Sequence, residues 1–480
     1  MHGAHAAPAA ETFPTEQNPR LRLIIPAVVG IAFLMEQLDS TIIATAIPEM
    51  AGGLGTTALR LNLAITAYVL TLAVFIPVSG WFADRFGGRR IFALSLLIFT
   101  VSSALCGLSQ NFEMLLAMRV LQGLGGAMMT PVGRLVLLRS FPRSQLVTAM
   151  TYMTLPAIIG PVIGPLLGGI LTTYLSWRWI FYVNIPFGVL GIMMALRYFG
   201  DIRGDRAVAF DFRGFLIIGL AAALLQFGIE NIARPMIPAP LIAAVLVAAV
   251  LLLLAFGWHA RRIADPAVDL TLFRLRSFSV GTLAGGLCRI GINAVPFLLP
   301  LMLQLGFGMS PIESGSLTFV SAASSLLVRP VAGRLLRLFG FGHVLFWSAV
   351  AASLLIAGFA LLTPQTPHLL IAAYVFVFGL SRASQFMTSN TLSYADMPSA
   401  QLSGATSLGG VLQQLSVSFG VSLGAMFLGL VAREGAPLTP EAFHHAFLLL
   451  AVLPLLSLPG FLFLRADDGA EVSQYRLKRS

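Results

Sequence analysis

The chain has 480 residues, of which 57% are hydrophobic and only 10% charged, whereas soluble globular proteins are about half apolar and a quarter charged. With 20 acids and 30 bases there are too few charges to coat a water-facing surface, which excludes a soluble enzyme and any large water-exposed domain. At about 20 residues per bilayer-spanning helix, the composition is that of a polytopic, all-α membrane protein.

The first 20 residues are polar and lack a basic run before a short apolar core, so they read as a cytoplasmic tail and not a signal peptide. Apolar runs then predict spans over 22–48, 59–81, 90–109, 113–133, 146–172 and 178–199. Two more cover 213–231 and 238–258, and a last six cover 278–304, 311–333, 343–363, 368–389, 402–430 and 442–464. The expected architecture is a tail (1–21), a six-helix bundle (22–199), two inserted helices with linkers (200–277), a second six-helix bundle (278–464) and a cytoplasmic tail (465–480). With the N-terminus inside, 22 of the 30 bases fall in cytoplasmic segments and four, Arg60, Arg178, Arg234 and Arg433, fall outside. That positive-inside bias supports fourteen spans with both termini cytoplasmic. It also explains the net charge of +10 without a nucleic acid or acidic partner.

Other classes are excluded residue by residue. The sole lysine, Lys478, lies in the terminal tail, so the chain lacks the Gly-rich turn with a lysine that a P-loop ATPase needs. Energy must come from an ion gradient or a partner. Cys106 and Cys288 sit inside apolar runs and none of the seven histidines is mid-span, which argues against a disulfide framework or a metal site.

Charges inside a bilayer are costly and invite a functional reading. Glu36 and Asp39 are three residues apart on one face of the first span. Asp39 lies about 13 Å from the outer end of its span and Arg119 about 9 Å, at 1.5 Å per residue, so the two can pair. Such a pair could load and release a proton, or only fix helix packing; Glu36 could instead face substrate or water. Arg289, Arg329 and Arg382 lie in spans 9, 10 and 12. Arg329, five residues from Arg334, can snorkel to the interface. Arg289 and Arg382 are deeper and are left either for an anionic substrate or for carbonyls and amides such as Asn293. A faint repeat links Gly80, Asp84 and Gly87 to Gly333, Arg337 and Gly340, as expected of two related halves.

Five motifs follow in order: Leu38-Asp39-Ser40-Thr41-Ile42-Ile43 with Ala46-Ile47-Pro48, the turn from Gly80 to Arg90, and Leu115, Arg119 and Gln122-Gly123. Then come Gly160, Gly164-Pro165 and Gly168-Gly169, and finally Trp177-Arg178-Trp179-Ile180-Phe181 with Asn184-Ile185-Pro186. In this arrangement the chain resembles the major facilitator superfamily, specifically its fourteen-helix drug:proton antiporter branch. The resemblance implies proton-driven export by alternating access, with Asp39 and Arg119 in proton coupling; Glu36, on the same face as Asp39, is a third candidate. It implies gating by Gly80, Asp84, Arg85, Gly87, Arg89 and Arg90, and an antiporter motif at Gly160, Gly164, Pro165, Gly168 and Gly169. Candidates for substrate contact are Gln122, Arg289, Asn293, Arg382 and Gln413. Ala44 stands where the pattern usually carries Asn, removing a polar group beside Asp39, and span 13 lacks an acid suited to cationic drugs.

The expected function is proton-coupled export of small organic molecules or drugs across a bacterial inner membrane, by a monomer with no cofactor beyond the proton gradient. An anionic metabolite or metal-chelating organic acid is the rival substrate. A membrane-embedded lipid-modifying enzyme is the remote alternative, but the histidines are not arranged for it.

Overall fold

The computed structural model describes residues 20–141, 145–200, 210–232, 237–263, 266–398, 401–431, 438–465 and 467–473, and all regular structure among them is helical. The long helices are α1 (Leu21–Thr45), α2 (Ala58–Phe86), α3 (Gly88–Gly107), α4 (Phe112–Ser140), α5 (Leu146–Tyr174), α6 (Trp179–Tyr198), α7 (Phe212–Asn231) and α8 (Ala239–Ala260). They continue as α9 (Arg276–Gly306), α10 (Pro311–Ser324), α11 (Val328–Gly358), α12 (His368–Ala395), α13 (Leu402–Val431) and α14 (Pro440–Leu462). Among the described residues, eleven segments are long and apolar enough to cross a bilayer; α4, α5 and α10 are not among them. Arg119, Gln122 and several glycines interrupt the apolar surface of α4.

Local chemistry sets the ends. Thr57 and Asn111 accept from the backbone N–H of Arg60 (3.2 Å) and Met114 (2.8 Å), capping α2 and α4. Ser310 and Glu313 form a reciprocal capping box at the start of α10. α2, α4 and α12 run several residues past their predicted ends, because their last turns carry charged or polar groups that end the hydropathy signal without ending the helix. Gly87, at φ 94°, ends α2 and starts α3. Gly340, at φ 70°, breaks α11 in the same way. The sequence echo therefore marks two equivalent left-handed backbone positions, which glycine adopts without strain. The end of the bundle where Gly87 lies also gathers Arg85, Arg89, Arg90 and Arg139 and is called the basic end below.

Asp211 clasps α7 and α8 together at that end. It accepts from the backbone N–H of Gly214 (2.8 Å) and Ala267 (3.2 Å), and its carboxylate lies 2.9 Å from the His259 ring at the end of α8. Burial works against ionisation of Asp211, but these hydrogen bonds outweigh it and hold the carboxyl below its usual range. A lowered folded-state pKa means that the clasp stabilises fully at neutral pH and weakens as the pH falls through the carboxylate range.

Helix packing follows the small residues. Cβ atoms at Gly160, Gly164 and Gly168 would fall 3.0 Å from Gln37 Cβ, against Thr41 Oγ1, and 2.5 Å from both Thr45 Oγ1 and the Ile42 carbonyl. Three glycines four apart thus face a stretch of α1 with the same four-residue spacing, at backbone contact. Gly169 turns the other way, and its Cβ would be 2.6 Å from the Pro311 carbonyl of α10. α5 is consequently wedged between α1 and α10, while α2 packs on both α4 and α13, and α7 lies against α2 and α13 with α8 on its outer side.

Replacing Gly168 with Val should cost about 1–3 kcal/mol by overpacking and lower the melting temperature of the detergent-solubilised protein. Gly80→Ala should leave it unchanged or slightly raised, because nothing lies within 4 Å of a Cβ there and alanine is the better helix former.

Candidate functional site

α1 presents Glu36 and Asp39 toward α4. Arg119 Nη1 donates to Asp39 Oδ2 at 2.6 Å, and Gln122 Nε2 donates to Asp39 Oδ1 at 2.8 Å. Arg119 Nη1 also reaches Gln122 Oε1 (2.7 Å), and Nε donates to the Ala64 carbonyl of α2 (3.1 Å). The guanidinium lies 4.1 Å from the centroid of the Tyr68 ring. The side chains of Arg119 and Asp39 are 0% and 1% exposed. In an apolar interior each charge alone would cost several kcal/mol, and only pairing with further hydrogen bonds makes both tolerable. Glu36, one turn earlier, is buried and accepts from the Thr130 hydroxyl of α4.

The depth estimate brought Asp39 and Arg119 together correctly. Gln122, a candidate for substrate contact, instead completes this cluster, because i+3 on α4 places it on the face of Arg119. Tyr68 and Thr130 were not singled out from sequence; an aromatic and a threonine in apolar helices carry no distinguishing signal until their neighbours are known.

The opposite face of α1 lines a cavity of about 440 Å³ enclosed with α5, α9, α10 and α12. Gln37, Ser40, Thr41 and Ala44 of α1 face it, with Pro161 and Pro165 of α5 and Pro296 and Pro300 of α9. Ala44 therefore widens this cavity and does not adjoin Asp39 as its place in the motif suggested. Ser321 and Thr318 come from α10, and Arg382 and Phe386 from α12. Arg382 is half-buried, its guanidinium 5.8 Å from the Phe386 ring centroid. Among the described residues it has neither an ion-pair nor a hydrogen-bond partner. Toward the end away from the basic loops, Gln304 Nε2 donates to the Thr45 carbonyl (3.0 Å), and Gly169 meets Pro311.

Of the other residues considered for substrate, Arg289 donates to Ser389 Oγ (3.1 Å) and Asn390 Oδ1 (2.7 Å) of α12 and does not line the cavity. Asn293 is buried where α9 meets Gly420 of α13, and Gln413 is half-buried on α13 outside the cavity lining. The Arg329 side chain lies outside the described residues. At the basic end Asp84 pairs with Arg139 of α4 at 2.7 Å, while Arg85 lies over Trp81. The acid of the turn is thus held by the neighbouring helix and not by the arginines of its own motif.

The Major Facilitator Superfamily model matches residues 29–421. The chain belongs to that superfamily, whose members are transporters and not enzymes, and is a multi-pass membrane protein. It is 38% identical over 440 residues to the "Putative multidrug resistance protein MdtD" of Pectobacterium atrosepticum, covering 91% of this chain and 94% of the relative. It is 34% identical over 457 residues to the protein of the same name from Salmonella paratyphi A, covering 94% and 97%. The fold is similar to that of the nucleoside transporter NupG (TM-score 0.63, 14% identity, 92% and 99% covered). It is also similar to a bacterial homolog of the human lysosomal transporter Spinster (TM-score 0.62, 17% identity, 96% and 99% covered).

Arg119→Leu leaves Asp39 buried without its counter-charge and should destabilise the protein by about 3–5 kcal/mol, read as a fall in melting temperature. Adding Asp39→Leu should recover much of that loss; a double variant as unstable as the sum of the two single variants would show that the pair is not coupled.

Proposed function

We propose that the chain is a proton-coupled secondary transporter exporting small organic molecules from the cytoplasm by alternating access. The observation that carries this reading is that α1 bears Asp39, Arg119's partner, on one face and the cavity lining on the other. A change in the charge of Asp39 releases or captures Arg119, and α1 must respond by shifting against α4. The same helix is locked to α5 through Gly160, Gly164 and Gly168, so the shift reaches the cavity wall directly. Movement of a carboxyl between a desolvated site and a guanidinium partner is a physical means of loading and releasing one proton. The names of the MdtD relatives support drug-like cargo.

In this reading α1–α14 supply fourteen spans, the kink at Gly340 marking the boundary between the tenth and eleventh. Residues 22–199 and 278–464 form two six-helix bundles, with α7 and α8 inserted between them. The basic end faces the cytoplasm of a bacterial inner membrane and both termini lie there, as the positive-inside bias requires. The protein works as a monomer without a bound cofactor. The Asp84–Arg139 pair is the cytoplasmic gate, remade on each rocking of α2 against α4.

Arg382 favours a second reading for the cargo. A guanidinium in a cavity without an acid beside it suits a carboxylate or similar anion, with Phe386 supplying an apolar neighbour. An anionic metabolite or metal-chelating organic acid fits that chemistry.

Reconstituted in vesicles with an imposed pH gradient, the parent should move substrate only while the gradient persists, and Asp39→Asn should lose this dependence. Flux indifferent to the gradient removes proton coupling. Arg382→Gln should reduce transport of carboxylates at least tenfold and spare cationic dyes; the reverse pattern removes the anionic reading.

A further inference from the structure

A second buried carboxylate lies away from both Asp39 and the cavity. Glu230, near the end of α7, is 7% exposed. Its Oε1 accepts from the Thr66 hydroxyl of α2, from Gln226 Nε2 one turn earlier on α7 (2.9 Å), and from Ser422 Oγ of α13 (2.9 Å). Gln226 Nε2 also donates to Ser422 Oγ. Each of the three helices contributes a pair of polar residues four apart: Asn62 and Thr66, Gln226 and Glu230, Ser418 and Ser422. All six are buried, and Asn62 Oδ1, Gln226 Oε1 and Ser418 Oγ have no hydrogen-bond partner among the described residues.

No cation faces this carboxylate among the described residues. α2 presents Asn62 and Thr66, and α13 presents Ser418 and Ser422. On α7 itself the Asn231 amide is spent on the Phe227 carbonyl (2.7 Å). α8 has no titratable side chain before His259, at its other end. Arg60, six residues before Thr66, is exposed and paired with Glu113 at 3.0 Å; Arg234 lies outside the described residues. Among the described residues, an anion here is held by three neutral donors. A neutral acid here would find a ready acceptor in the unpartnered Gln226 Oε1. The cluster is thus furnished for both charge states.

We propose that Glu230 is a second proton-binding carboxylate, independent of Asp39, and that its charge state sets how firmly α7 is held in the seam between α2 and α13. Ionised, Glu230 draws hydroxyl donors from both neighbouring helices onto one oxygen. Protonated, it turns from triple acceptor to donor, and the bonds to Thr66 and Ser422 weaken together. Helices α2 and α13 meet along this seam, so the inserted pair acts as a proton-sensitive brace across it. This reading needs no substrate and does not depend on Asp39 carrying a proton.

The test is infrared difference spectroscopy of the full chain in lipid vesicles, titrated from acid to neutral pH, with hydrogen exchange of α7 followed in parallel. Glu230→Gln should lose one protonated-carboxyl band that persists in Asp39→Asn and Glu36→Gln. It should also abolish the pH dependence of exchange in α7. Thr66→Val, which removes one donor to the anion, should shift that band relative to the parent. If Glu230→Gln fails to fold, Thr66→Val and Ser422→Ala decide, and no shifted band in either overturns the proposal. Survival of the full set of bands in Glu230→Gln overturns it as well. So does a band that vanishes when sodium replaces choline at fixed pH, since the cluster would then be a metal-ion site. Loss of titration only in Asp39→Asn would leave the coupling role of Asp39 intact while removing this one.

Discussion

A guanidinium with no exposure to solvent, surrounded by apolar helices, cannot be left without its counter-charge. That constraint ties α1 to α4 through Asp39 and Arg119 and ties both to α2 through the Ala64 carbonyl and the Tyr68 ring. Three helices are thereby fixed around one buried pair of charges. The bond is strong because water is absent.

The glycine stripe of α5 turns this local chemistry into a mechanical connection. Close packing at Gly160, Gly164 and Gly168 leaves α1 no slack against α5, and Gly169 passes contact on to α10 at the end of the cavity away from the basic loops. Four prolines from α5 and α9 line that cavity. Each removes a backbone donor, which a helix tolerates where it borders a cavity within the protein. Charge, packing and cavity thus meet on a single helix, with the seam held by Glu230 as a separate polar junction on the far side of α2.

The legible parts of the fold and site were those with a local signal. Low charge density and apolar runs specified a membrane protein and the approximate ends of its helices. The i, i+3 spacing of Glu36 and Asp39 placed both on one face, and the helical rise matched Asp39 in depth to Arg119. The faint echo of Gly87 in Gly340 falls on two positions where the backbone takes a positive φ, which glycine adopts without strain. Gln122 was legible as part of a motif but its role was not, since spacing along α4 does not say which residue of α1 it meets.

What the sequence determined by itself was therefore the class, the helical character and the presence of buried charges that demand partners, since hydropathy and desolvation act on each segment regardless of the rest. Tertiary structure alone decided which partner each polar group received. It gave Arg289 to Ser389 and Asn390, left Arg382 facing a cavity, and moved Ala44 from the acid face to the cavity wall. It also gathered Thr66, Gln226, Glu230 and Ser422 from three helices far apart in the chain. A hydroxyl or amide in an apolar helix has many acceptable partners, and only the packing of one helix against another selects among them.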